Sequence, residues 1–261
     1  MDRIVYDQEH WLRSNDPEHS LEAYLEQQGN AYSRIKQHFI RELLGDLKAK
    51  RFLDFGCGAG GNLVYAAREG AGFIVGVDAE TSALNTARYH LEREGLGARC
   101  QLVACDRFSF SSQGAFDVIL LKDVIEHVPD DDTLLREISE ALSPGGTLIL
   151  STQNSFSLNY LLEGTYQRLI MRRRNWCGWD PTHLRFYKPS TLKAKMAAAG
   201  LKCETWRSIY IVPHKIPVPW SRGRSFYRIE RLTIFDRTLG RLWPLSKTGW
   251  NIIVRAVRPP D

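Results

Sequence analysis

Apolar residues along this chain fall into two kinds of run that alternate. Compact runs rich in β-branched and aromatic residues, "RFLDFG" (51–56), "FIVGVDA" (73–79), "CQLVACD" (100–106), "FDVILLKD" (116–123) and "TLILSTQ" (147–153), have the length and polar borders of buried strands. Stretches of helix-like length near residues 61–69, 82–94, 132–142 and 190–199 separate or follow them. Strand and helix in alternation imply crossovers between parallel strands, so the pattern predicts an α/β fold with a doubly wound sheet starting near residue 51. Before it, "LEAYLEQQGNAYSRIKQHFIRELL" (21–44) predicts one or two helices outside the sheet. After Leu201, "KCETWRSIYIV" (202–212) and "GWNIIVRAV" (249–257) read as two more strands, separated by an Arg-, Trp- and Pro-rich segment longer than a hairpin loop. The expected organisation is a helical extension at 1–50, a core at 51–212 with an insertion at 155–188, a basic amphipathic insertion at 213–247, and a final strand and tail at 248–261.

A length of 261 residues with 43% hydrophobic content suits one elaborated domain. No apolar run approaches the roughly 18 residues of a membrane span, and the start "MDRIVYDQEH" lacks the basic and apolar blocks of a signal peptide. The expectation is a soluble, cytoplasmic chain. Five cysteines (Cys57, Cys100, Cys105, Cys177 and Cys203) include no C-x-x-C pair, which argues against a disulfide framework or a zinc knuckle. The net charge of +5 divides unevenly: residues 1–150 carry −9 and residues 151–261 carry +14. A field this lopsided points to a phosphorylated or polyanionic partner, or an anionic membrane surface, near the C-terminal part; a solvated basic face is the alternative.

The stretch "LDFGCGAGGN" (53–62) fits two glycine turns at once. Gly56, Gly58 and Gly61 satisfy the G-x-G-x-x-G of dinucleotide binding, while Asp54 ahead of Gly56, Gly58 and Gly60 suits a loop for S-adenosylmethionine (SAM). Asp78, ending the second strand, suits a ribose in either case. Five segments in order, "LDFGCGAG", "VGVDAE", "ACDRFSF", "FDVILLKDVIEHVPD" and "LSPGGTLILSTQN", resemble the class I SAM-dependent methyltransferases over roughly residues 50–200. The resemblance implies a Rossmann-like methyltransferase sheet of seven strands, the last antiparallel. It also implies that Gly56, Gly58 and Gly60 leave room for the methionine and ribose parts, with Asp54 near the ammonium. Asp78, with Ala79 beside it, would accept the ribose hydroxyls; Asp106 would accept from the adenine amino group, with Arg107 or Phe108 against the ring; Lys122 and Asp123 would face the methyl group.

Methyl transfer asks the enzyme to position acceptor and donor and, for a hydroxyl acceptor, to remove a proton. Imidazole is the side chain that ordinarily titrates nearest neutrality, which makes His127 the candidate base, with Glu126 or Asp123 orienting it; the alternative is a His that packs beneath the cofactor. More narrowly, Asp123-Val-Ile-Glu126-His127 is similar to the Glu-x-x-Glu-His group of the quinone-ring O-methyltransferases, which binds a divalent cation; Mg²⁺ here is a secondary expectation. Those enzymes also carry a membrane-facing insertion after the fifth strand. Here that place holds Leu158, Leu161, Leu162, Tyr166, Leu169 and Ile170 in an apolar stripe, then Arg172, Arg173 and Arg174, with Trp176 and Trp179 flanking. A second stripe, Ile229, Leu232, Phe235, Leu239 and Leu242, predicts an amphipathic helix within 224–243. Either could be an interfacial helix at a membrane or a lid over the acceptor. His183 and Arg185 in "DPTHLRFY", with Tyr166, are the candidate substrate contacts; the alternative for His183 and Arg185 is a loop pinned by Asp180.

The expected activity is O-methylation of a small or lipid-like acceptor, such as a quinone precursor or secondary metabolite. A nucleic-acid methyltransferase would use the basic region, but the fourth strand ends "LLKDVIEH", without the Pro-Pro-aromatic or Pro-Cys groups such enzymes use. A non-catalytic scaffold and a dehydrogenase are the remaining classes; the intact glycine turn with Asp78 and Asp106 disfavours the first, and "LSPGG" with Asp106 the second.

Overall fold

The computed structural model describes residues 14–110, 113–174, 176, 178, 180, 182–212, 215–217, 226–228 and 230–260; the side chains of Asp106 and of residues 215–217, 226–228, 230 and 231 lie outside that description. Trp179, Cys177 and Ile229, named above, are also outside it.

The N-terminal extension is two helices, α1 (Pro17–Gln28) and α2 (Ala31–Leu44), broken at Gly29-Asn30. Asp16 accepts from the Glu18 amide and Asn30 from the Ser33 amide, so each helix begins on a side chain that satisfies an amide the helix itself leaves unpaired. The alternation then follows as β1 (Arg51–Phe55), α3 (Gly61–Arg68), β2 (Phe73–Asp78), α4 (Thr81–Arg93), β3 (Cys100–Ala104), β4 (Phe116–Lys122), α5 (Asp131–Ala141) and β5 (Leu142–Gln153). After α6 (Leu158–Thr165), which runs into a π-helical turn at Tyr166–Ile170, come α7 (Pro189–Ala198) and β6 (Lys202–Ile209). A short hairpin, β7 (Lys215–Pro217) and β8 (Phe226–Arg228), precedes α8 (Asp236–Leu239) and β9 (Asn251–Val257).

Seven strands form one sheet in the order β3-β2-β1-β4-β5-β9-β6. The pairs from β3 to β5 are parallel, and β9 runs antiparallel between β5 and β6. One apolar cluster lies under α5 and α7, including Leu135, Ile138, Leu192 and Met196; the other lies under α2, α3 and α4, including Phe39, Ile40, Leu63 and Leu91. The order reverses direction at β1/β4, and the crevice beyond the C-terminal ends of those two strands is where such sheets hold ligands.

The second stripe does not form the expected helix. The described residues of 224–243 are divided among β8, a 3₁₀ segment at Glu230–Phe235 that holds Leu232 and Phe235, the single turn α8 that ends at Leu239, and a turn beyond it that holds Leu242. Pairing of β8 with β7 and the docking of Asp236 onto the end of β6 override the helical spacing: Asp236 accepts from the amides of Tyr210 (2.6 Å) and Ile211 (3.1 Å).

Candidate active site

β1 delivers the chain into a loop of left-handed glycines, and α3 carries it away. Gly56 has φ +84°, and a Cβ there would collide with Val124, so no other residue fits. At Gly61 a Cβ would strike the Tyr24 hydroxyl of α1, which places the N-terminal extension directly on the loop. Gly58 donates its amide to Asp78 (2.8 Å), Glu80 donates to the other Asp78 oxygen (3.0 Å), and the His90 ring meets the Ala59 carbonyl at 2.8 Å.

Asp54 is wholly buried beside this loop, and neither of its oxygens has a hydrogen-bond partner of good geometry among the described residues. Burial pushes its carboxyl up to about 7, against the opposing influence of Lys122 and Asn62. A buried acid whose nearby Lys122 and Asn62 form no close, well-aligned hydrogen bond with it can take a further donor, such as the ammonium of a bound amino-acid moiety. Asp78 is also raised, chiefly by burial, while its backbone donors favour the charged form. The side chain of Asp106 is outside the described residues. Phe108 sits in an aromatic group with Phe55 (6.0 Å) and Phe110 (4.9 Å), packed against the core. Arg107 is exposed.

Beyond the ends of β4 and β5 lies a cavity of about 470 Å³. Its lining includes the polar Asp123, His127, Asp180 and His183 and the aromatic Tyr32, Tyr210, Phe186 and Trp250, with Gln27, Asn30, Ser33, Gln153 and Glu163. Tyr32 and Tyr210 are stacked with centroids 4.6 Å apart, and Phe186 meets Trp250 edge-on at 5.8 Å. Polar groups beside aromatic walls, as where His183 meets Phe186 edge-on at 5.6 Å, suit a planar acceptor with a hydroxyl to be oriented.

His127 ends the 3₁₀ turn Ile125–His127, and its Nδ1 lies 3.0 Å from the Thr182 hydroxyl and 3.3 Å from the Thr182 carbonyl. A carbonyl only accepts, and the Thr182 hydroxyl donates to Asp180 (2.6 Å), so the network assigns the proton to Nδ1 and leaves a lone pair on Nε2. The group that orients His127 is therefore Thr182, backed by Asp180, and not Glu126 or Asp123 as expected. His183 packs on the His127 ring at 4.8 Å, with Asp180 3.8 Å from its Nε2; burial lowers its basicity against the pull of Asp180. Glu126 is fully buried and accepts from Thr152 (2.8 Å); burial, reinforced by Asp123, lifts its carboxyl to about 8.

Asp123 departs from ordinary geometry, with φ +54° in a non-glycine residue, a conformation costing about 1–3 kcal/mol. Its amide donates to the Ser151 carbonyl (3.0 Å), one carboxylate oxygen accepts from Ser151 Oγ and Asn251 Nδ2 (both 3.1 Å), and the other pairs with Lys36 Nζ of α2. Burial alone would raise Asp123, but Lys36 and Lys122 hold it below the usual carboxylate range. Lys36 is the buried member of the pair and Asp123 the partly exposed one, so removing the Asp123 charge, which leaves the buried ammonium unpaired, would cost roughly 3–5 kcal/mol.

The expected Mg²⁺ ligands, Asp123, Glu126 and His127, do not fit that ion. Asp123 is already engaged by a fixed ammonium, and the donor atoms that cluster within 4.8 Å belong instead to Glu126, His127 and His183. One carboxyl and two imidazoles are a nitrogen-rich set for a cation that prefers oxygen ligands.

Arg185 does not line the cavity: its guanidinium binds Asp131 (2.8 Å) and the Pro129 carbonyl (2.8 Å). Tyr166 is half-buried and likewise absent from the lining, whereas His183 is on it. Lys36 and Thr182 were missed by sequence reasoning. Lys36 carried a signal, since it occupies the inward stripe of α2 that continues as Phe39, Ile40, Leu43 and Leu44.

A family profile described as a methyltransferase domain matches residues 24–205, from α1 into β6. The chain belongs to that family. This methyltransferase is 33% identical over 172 residues (64% of the chain, 68% of the relative) to a ubiquinone biosynthesis O-methyltransferase of Idiomarina loihiensis. It is 28% identical over 184 residues (70% and 75%) to the Bordetella avium protein of the same name. Magnesium protoporphyrin IX methyltransferase of Synechocystis, solved with S-adenosylhomocysteine (SAH), shares the fold at a TM-score of 0.58 and 13% identity, covering 90% of this chain and 92% of that one. The methyl donor of this methyltransferase is SAM, and the dehydrogenase alternative falls.

Proposed function

We propose that this methyltransferase moves the SAM methyl group to a phenolic hydroxyl of an aromatic acceptor bearing an apolar chain, with His127 as the base. The observation that carries the reading is the His127 ring, its Nδ1 proton committed to Thr182 and its Nε2 lone pair left available on a residue that lines the aromatic-walled cavity. SAM, when bound, supplies a methyl carbon on a sulfonium and departs as neutral SAH. Asp54 receives the ammonium, Asp78 the ribose hydroxyls, and the glycine loop admits the backbone-close part of the donor; Asp106 is kept for the adenine amino group. His127 Nε2 takes the hydroxyl proton as the acceptor oxygen forms its bond to carbon, and the imidazolium then returns that proton to solvent, with Asp180 behind Thr182 stabilising the charge. No metal enters this scheme. The names of the curated relatives support a phenolic, quinone-precursor type of acceptor.

An apolar chain on the acceptor is supported by α6, which is turned inside out. Its polar Asn159 and Glu163 are buried, while Leu158, Leu161 and Leu162 face outward, followed by exposed Leu169, Ile170 and Met171 and then three exposed arginines. Such a surface suits an anionic bilayer from which the acceptor is drawn.

Methyl-labelled SAM with an alkyl catechol tests the reaction: label is expected on the catechol oxygen, unchanged by EDTA. His127→Gln should lower kcat by about 100-fold or more while SAM affinity stays near wild type. SAM binding without transfer to any phenol would overturn the reading.

A further inference from the structure

We infer that Lys36, supplied by the helical extension ahead of the sheet, is a positioning residue for the transfer: it fixes the Asp123 carboxylate as the cavity wall against which an acceptor hydroxyl is turned toward His127. The part played by His127 rests on the function proposed above; the fixing of Asp123 does not.

Lys36 stands where an apolar residue belongs. The inward face of α2 is Lys36, Phe39, Ile40, Leu43 and Leu44, and Lys36 is only 4% exposed. A lysine is almost never held so deeply unless paired, and a hydrophobic residue of similar volume in place of a buried charge pair is often neutral or stabilising. The packing of α2 thus gives no reason for the amine, whereas Asp123 does. That carboxylate is held from three sides by separate elements: Lys36 from α2, Ser151 from β5 and Asn251 from β9. Ser151 and Asn251 share one oxygen, so Lys36 is the partner recorded for the other. Asp123 lines the cavity while Lys36 does not, which makes Lys36 a residue that acts through Asp123. Lys36 also lies 5.6 Å from the centroid of Tyr32, backing the aromatic wall that Tyr32 shares with Tyr210.

Two measurements on Lys36→Met, Lys36→Arg, Asp123→Asn and the double variant Lys36→Met/Asp123→Asn test this. In crystals with SAH, Lys36→Met should turn the Asp123 side chain away from its wild-type position, and Lys36→Arg should keep it. With an alkyl catechol, Lys36→Met should lower kcat/KM about tenfold or more with SAM affinity within about twofold, Lys36→Arg should recover most of the loss, and the double variant should be no worse than Asp123→Asn alone. Should Lys36→Met or Asp123→Asn fail to fold, Lys36→Arg, which keeps the charge pair, still tests the inference: an Asp123 displaced in its SAH structure with kcat/KM unchanged overturns it. An unmoved Asp123 in Lys36→Met, or losses that multiply in the double variant, overturns the inference. A wild-type enzyme inactive on every catechol sinks the proposed function instead, and the SAH structures then decide the role of Lys36.

Discussion

Asp54 and Asp123 are two acids near one cleft in opposite states, because one is wholly buried with no well-formed hydrogen bond among the described residues and the other, partly exposed, is paired with a buried ammonium. A carboxyl raised from its ordinary value to about 7 favours folding in its protonated form, so Asp54 contributes stability that is present at acid pH and lost as pH rises through about 7. Pairing with the donor's ammonium reverses that preference. SAM binding at pH near 6 is therefore expected to release a proton, read by calorimetry in buffers of different ionisation enthalpy, and the release should vanish at pH 9 and in Asp54→Asn. Unchanged release in that variant would separate Asp54 from the ammonium. At this scale the sequence was legible where a residue's role follows from its neighbours in the chain, as for Gly56 in its turn. It was not where the partner comes from a distant element: Thr182 reaches His127 across 55 residues, and Lys36 reaches Asp123 across 87.

Among the elements, the boundaries of β1 to β4 and of α3 to α5 could be read from the sequence to within a residue or two, helped by the burial of β1, β2 and β4, whereas β5 begins at Leu142, five residues before the expected strand. Periodicity failed for 224–243, where long-range contacts decide the backbone. Asp236 is the clearest of these, holding two amides at the end of β6 where Tyr210 takes φ +57° and enters the cavity wall. Asp236→Ala should lower stability by about 2–4 kcal/mol through two buried N–H groups left without an acceptor, with Asp236→Asn losing less. Chemical denaturation checks it; a change below about 0.5 kcal/mol would mean that water or a neighbour replaces the carboxylate. Part of the basic C-terminal charge is likewise paired within the molecule, since Arg207 and Arg241 both pair with Glu42 of α2.

For the whole molecule, no helix among the described residues is long and apolar enough to cross a membrane, yet most of the exposed large apolar side chains described fall in two stretches of the chain. One is the α6 ridge; the other includes Ile234, Leu242 and Trp243, the last 82% exposed. The excess of +14 in residues 151–261 brings positive charge to the same part of the chain. Sedimentation with phosphatidylglycerol vesicles should recover the protein at low salt and less of it at moderate salt, each of Arg172, Arg173 and Arg174 adding about 1 kcal/mol. Leu161→Asp with Leu162→Asp should abolish recovery while leaving SAM binding intact. Absence of wild-type protein from the pellet would assign the ridge to a different partner. How this surface is disposed could not be foreseen from residue spacing, because spacing reports a stripe without saying which way it faces.

The insertion of β9 between β5 and β6 has a consequence for how the molecule comes to be assembled. Both neighbours precede it in the chain, and until Asn251–Val257 arrive each presents an open edge able to pair with a foreign strand. Trp250 and Asn251, at the start of that strand, also supply a wall of the cavity and a donor to Asp123. The half of the sheet that carries the glycine turn is complete in order of synthesis, but the acceptor side waits for a segment made about 100 residues after β5, a long-range closure of the slow kind. Competence to hold a donor can thus precede competence to use it.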